Sequence, residues 1–136
     1  MPVLTERRKF VRYMLPYGML YVFDHYSARV GWVRDVGMGG LSCEFCHESK
    51  IESISDVIDI FAYDEDQFYL PSITCKKTYI VTLGVGRSFN RHLSTTRCGQ
   101  HFVSLKPQEK SRWQELVEKF SKFSDLFAPV YNPFVE

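Results

Sequence analysis

An all-β domain followed by one C-terminal helix is the fold class this chain predicts, on three observations. Apolar residues alternate with polar ones at period two in one segment after another, and Gly, Asp, Asn and Pro punctuate the gaps between those segments. Only the C-terminal part switches to three- and four-residue spacing. The alternating segments number about six, which points to an antiparallel barrel or sandwich.

The elements follow in order. Residues 1–17 precede the first strand and, as a terminus, are expected to be mobile. Residues 18–23 form the first strand. In residues 28–36, Ala28, Val30, Trp32 and Val36 share one side and Arg29 and Asp35 the other, so that face predicts burial of Val30 and Trp32. In such a strand Arg34 points away from Asp35 and is left a supporting role at most. Residues 41–45 are the next strand, and 57–63 places Ile58, Ile60 and Ala62 together. The clearest alternation is in 73–85, where Ile73, Cys75, Tyr79, Val81, Leu83 and Val85 oppose Thr74, Lys76, Thr78 and Thr82. A loop carrying Arg87, Arg91 and His92 leads to the last strand, 97–105. Pro107 suits a helix first turn, and Trp113, Leu116, Val117, Phe120 and Phe127 form an apolar stripe over 107–128. Pro129 ends it, and the tail 129–136 offers Tyr131 and Phe134 for packing back or for a partner.

Composition bounds the function. At 136 residues and 45% hydrophobic, residues 1–136 make one domain with a real core. A formal net charge of +1 argues against a general nucleic-acid binder, which needs a large basic excess. No apolar run reaches the roughly 20 residues of a membrane span, and the N-terminus lacks a signal-peptide core, so a cytoplasmic location with reduced thiols is expected.

Two segments carry chemistry. Arg7-Arg8-Lys9-Phe10-Val11-Arg12 supplies guanidinium forks for a phosphate or for O6 and N7 of guanine, and Asp35-Val36-Gly37-Met38-Gly39-Gly40 supplies a carboxylate for guanine N1 and N2 beside a glycine-rich turn. Taken alone, the first is a solvated basic run and the second a hairpin turn with glycines suited to positive φ. In order and spacing, however, they resemble the PilZ domain, a bacterial receptor for cyclic di-GMP with the signature RxxxR followed by [D/N]xSxxG. Arg8 and Arg12 match the first motif with Arg7 before it. Asp35 and Gly40 match the ends of the second, and Gly37 stands where the family has serine. Gly99 to Leu105 resembles the family's closing GxxFxxL strand. The resemblance implies a six-stranded antiparallel barrel with a C-terminal helix. It also implies a cyclic di-GMP site at Arg7, Arg8, Arg12, Asp35, Gly37 and Gly40, and a conformational change read by an effector protein. Losing the serine hydroxyl costs about one hydrogen bond, roughly 0.5–1.5 kcal/mol, so binding is weakened rather than abolished. The alternative is a degenerate domain of the same fold acting as a nucleotide-independent adaptor.

Other strings point elsewhere. Cys43-Glu44-Phe45-Cys46-His47 matches CxxCH, the c-type haem attachment motif, but an extended backbone splays the two sulfurs to opposite faces. Cys75, Cys98, His92 and His101 could join a zinc site, although paired CxxC spacing is lacking. Cys43, Cys75 and Cys98 read more simply as small core residues. Asp64, Glu65 and Asp66 read as a polar turn. No nucleophile elbow, HExxH or phosphate loop is present, which predicts a protein that is not an enzyme and needs no cofactor.

Overall fold

The structure, a computed structural model, describes residues 11–47, 56–62, 67–88 and 91–126. They form β1 (Tyr13–Met14), β2 (Tyr21–Asp24), β3 (Arg29–Gly37), β4 (Gly40–His47), β5 (Val57–Phe61), β6 (Tyr69–Ser88), β7 (Arg91–Phe102) and α1 (Pro107–Leu126). The strands run β3-β2-β5-β6-β7-β4, and β4 pairs back onto β3, closing a six-stranded antiparallel barrel. The small strand β1 is added on the outside, pairing Tyr13 with Val36 and Met14 with Asp35.

Alternation explains the barrel interior. Val22, Val33, Val36, Leu41, Cys43, Phe45, Ile58, Ile60, Leu70, Ile73, Cys75 and Cys98 are buried there, each apolar chain contributing on the order of 1.5–3 kcal/mol. The helix plugs one end with the predicted stripe: Trp113, Leu116, Val117 and Phe120 are all buried. Its first turn is capped when Glu109 Oε1 accepts from the Lys106 N–H at 2.8 Å, half of a capping box. Phe127, Tyr131 and Phe134 lie outside the described residues, as do Arg7, Arg8 and the acidic run 64–66.

The structure departs from the expectations in four places, each for a physical reason. The face assigned to residues 28–36 is inverted at its start: Val30 is 51% exposed while Val33 is fully buried. A bulge causes the change, because Val33 pairs with Cys43 and Asp35 with Ser42, leaving Arg34 as the extra residue. Val33 and Val36 therefore both face inward despite their odd spacing. The expected loop around Arg87 to His92 is instead a hairpin arm, pairing Arg87 with His92 and Ser88 with Arg91. Beyond Lys77 this arm runs clear of β5, so Ile80, Val81 and Leu83 are all nearly half exposed and burial no longer alternates. At its start β6 extends back past Pro71, which sits in a second bulge between Leu70 and Ile73, where no ladder N–H is needed. Finally, the N-terminal segment is bonded to the barrel from Tyr13 onward. The Leu15 N–H donates to the Arg34 carbonyl at 2.8 Å and the Leu15 side chain is buried.

Candidate functional site

The β3 bulge turns two consecutive charged residues onto one outer face. Ser42 and Glu44, two apart on β4, share a side; the Ser42 hydroxyl donates to Asp35 Oδ2 at 2.6 Å, and Arg34 Nε lies 2.8 Å from Glu44 Oε2. Arg34 thus stands beside Asp35, contrary to the simple alternation, because the extra residue cancels one reversal of side.

Asp35 is saturated. Arg12 Nη1 is 3.1 Å from Oδ1 while Ser42 holds Oδ2, and the carboxylate is 1% exposed against 17% for Arg12. The pair joins the two predicted motifs across 23 residues of sequence. Gly37 is what lets the strap lie so close. A Cβ at position 37 would sit 2.8 Å from the Val11 carbonyl oxygen and 3.0 Å from Arg12 Cδ. None of the glycines from Gly37 to Gly40 takes a positive φ, so turn conformation is not the reason for these two. Gly40 likewise has no room for a Cβ, which would run into the Gln100 carbonyl oxygen of β7. From the other side, the Trp113 indole N–H donates to the Gly37 carbonyl at 2.8 Å, tying α1 to the same residue.

A second charged cluster adjoins the first. Glu44 Oε2 receives both Arg34 and, at 3.2 Å, Arg97 Nη2. Arg34 Nη1 donates to the Leu15 carbonyl at 2.8 Å, and its guanidinium lies 3.6 Å from the Tyr17 ring centroid. Tyr17 in turn meets Trp32 edge-on at 6.1 Å, and its hydroxyl donates to Glu44 at 3.3 Å. In the sequence Glu44 stands out only as part of the CxxCH string, and Arg97 only as the first residue of the last strand. Alternation between Cys43 and Phe45 puts Glu44 on the outer face, where a glutamate is ordinarily solvated, so no local signal announces its burial between two arginines.

The cysteine string resolves geometrically. Cys43 is fully buried inside the barrel and Cys46 is exposed on the outside, so one porphyrin cannot be attached to both sulfurs. Cys43, Cys75 and Cys98 are core residues as expected. Hydrogen bonding with Cys98, then burial, pushes the Cys43 thiol up, and burial pushes Cys75 up to about 12. Among the described residues, no three His, Cys, Asp or Glu side chains converge on a metal geometry, and no helix is long and apolar enough to cross a membrane.

Comparison with known proteins bears on the fold. No family model matches the sequence, and no curated protein matches it significantly. Among solved structures, the chain is similar to the PilZ domain with c-di-GMP of YcgR from Escherichia coli, with a TM-score of 0.64 at 14% identity. The match covers 90% of this chain and 97% of that one. The barrel is therefore of PilZ type.

Proposed function

We propose that this PilZ-type barrel is a receptor for cyclic di-GMP, acting without chemistry of its own. The observation that carries the reading is the Arg12–Asp35 contact: two motif residues far apart in sequence meet beside Gly37, in the order the nucleotide-binding motifs require. The solved neighbour of the same fold is a c-di-GMP complex, which supports the choice of ligand. The ligand exchanges partners at a preformed pair. Guanine N1 and N2 donate to Asp35 in place of Arg12, and the freed guanidinium takes a phosphate or a guanine Hoogsteen edge, with Arg7 and Arg8 supplying further cations. The exchange lifts Arg12 from its Asp35 anchor onto the ligand, repositions the strap and presents a new face to an effector. The ligand shifts this equilibrium only by its differential affinity for the two states.

Titration calorimetry with cyclic di-GMP, GTP as control and Arg12→Ala alongside tests this. Roughly micromolar, saturable binding that disappears in the variant is expected. A specific observation also favours a second reading, a nucleotide-independent adaptor: both Asp35 oxygens are already satisfied and the carboxylate is sealed from solvent. Absence of binding to the intact protein selects that reading.

A further inference from the structure

The sheet face formed by β2, β5 and β6 carries a feature that the nucleotide reading does not use. Cross-strand pairing places Trp32, Tyr21, Phe61 and Tyr69 in one row across four strands, with Tyr21 and Phe61 stacked at 5.5 Å. Beside this row is a cavity of about 790 Å³, open to solvent, whose walls include Phe23, Phe61, Phe68 and Tyr69.

Among the described residues that line it, Asp59 is the one carboxylate and none is cationic. His25 Nε2 at 2.7 Å and the Ser72 N–H at 2.8 Å both fall on Asp59 Oδ1. Among the described residues, Oδ2 has no hydrogen-bond partner, and the side chain is 18% exposed. The same wall already holds one guanidinium: Arg112 of α1 lies 5.2 Å from the Phe68 ring centroid while its Nη1 donates to the Tyr69 carbonyl at 2.8 Å.

Aromatic faces attract cations within about 6 Å through the ring quadrupole, and a planar guanidinium can stack on a ring while its edge pairs with a carboxylate. With Phe68 already taken by Arg112, the cavity still offers Phe23, Phe61, Tyr69 and a half-used carboxylate, which are complementary to that group. We propose that this cavity is the docking site for an arginine side chain of a partner protein, its guanidinium stacking on the aromatic walls and donating to Asp59 Oδ2. This inference stands independently of the nucleotide reading.

The test is an NMR titration of the intact protein with N-butylguanidinium, using the neutral isostere N-butylurea as control. Asp59→Asn retains an oxygen acceptor for His25 and Ser72, and Tyr69→Ala alters a half-exposed ring, so both variants keep the fold. Saturable shifts of the Phe23, Phe61 and Tyr69 resonances are expected with the cation. Affinity for the urea, and for the cation in either variant, should be weaker by roughly tenfold, corresponding to a lost cation–π or charged hydrogen-bond contact. Equal affinity for the two probes, an Asp59→Asn variant within twofold of the parent, or no saturable shift with the cation overturns the proposal.

Discussion

Replacing Gly37 with alanine separates two accounts of why glycine stands there. The backbone at position 37 has no positive φ, so alanine is conformationally allowed and, by reducing unfolded-state entropy, should stabilise the strand by about 0.4–1 kcal/mol. Opposing this is the strap. The new Cβ would lie 2.8 Å from a backbone oxygen, Val11 O, and 3.0 Å from Arg12 Cδ, and the backbone contact cannot be relieved by a rotamer change. Overpacking of this kind costs about 1–3 kcal/mol, so Gly37→Ala should lower stability by roughly 1–2 kcal/mol net. In a chain beginning at Tyr13 the clashing atoms are gone, and the same substitution should be neutral or stabilising. Urea unfolding followed by circular dichroism, with the slope unchanged and the midpoint moved, reads both. An effect of the same sign and size in the two backgrounds would refute the steric account and return the glycine to being a mere loss of a serine hydroxyl.

Other outcomes follow from the same geometry. Glu44→Gln leaves Arg34 and Arg97 facing each other without their shared carboxylate and should cost about 3–5 kcal/mol in urea unfolding, with part of the loss recovered by adding Arg97→Met. Ser42→Ala removes a buried hydrogen bond to a charged group and should cost about 1.5–3 kcal/mol by the same assay. Gln100 is fully buried with neither amide atom bonded among the described residues, so Gln100→Met should raise stability by about 1–2 kcal/mol. The Cys75 thiol, raised from 9.0 to about 12, keeps its proton longer in the fold than in the unfolded chain. Its stabilisation is complete below pH 9 and fades from there to about pH 12. Stability should fall by about 1.4 kcal/mol per pH unit in that window, less steeply in Cys75→Val.

The fold was legible where one side of each strand meets the core. Ile58 and Ile60, Ile73 and Cys75, and the helix stripe from Trp113 to Phe120 all obey the period of their element, and they are buried as that period demands. The hairpin arm was not: from Thr78 to Gly84 the sequence alternates as clearly as in any other strand, yet Ile80, Val81 and Leu83 are all nearly half exposed, because the arm has passed the strand and core that the alternation would have faced. The site was half legible. Arg12, Asp35, Gly37 and Gly40 are brought together, but the neighbouring Arg34–Glu44–Arg97 cluster depends on a single-residue bulge. A bulge is set by tertiary pairing of β3 with β4, and nothing in the local pattern of Val33-Arg34-Asp35 announces it.

The bond from Trp113 to Gly37 makes the molecule its own spectroscopic reporter. The indole of Trp113 is buried, its N–H held by the very residue over which Arg12 is laid, and its ring stands 6.4 Å from Phe68 at the wall of the aromatic cavity. Lifting the strap from Gly37 alters the field along that indole, and filling the cavity against Phe68 alters its packing. The chain has two tryptophans, so converting Trp32 to phenylalanine isolates this emission. Events at two separate surfaces can then be timed optically on an unlabelled protein, by stopped-flow, in the order in which they occur.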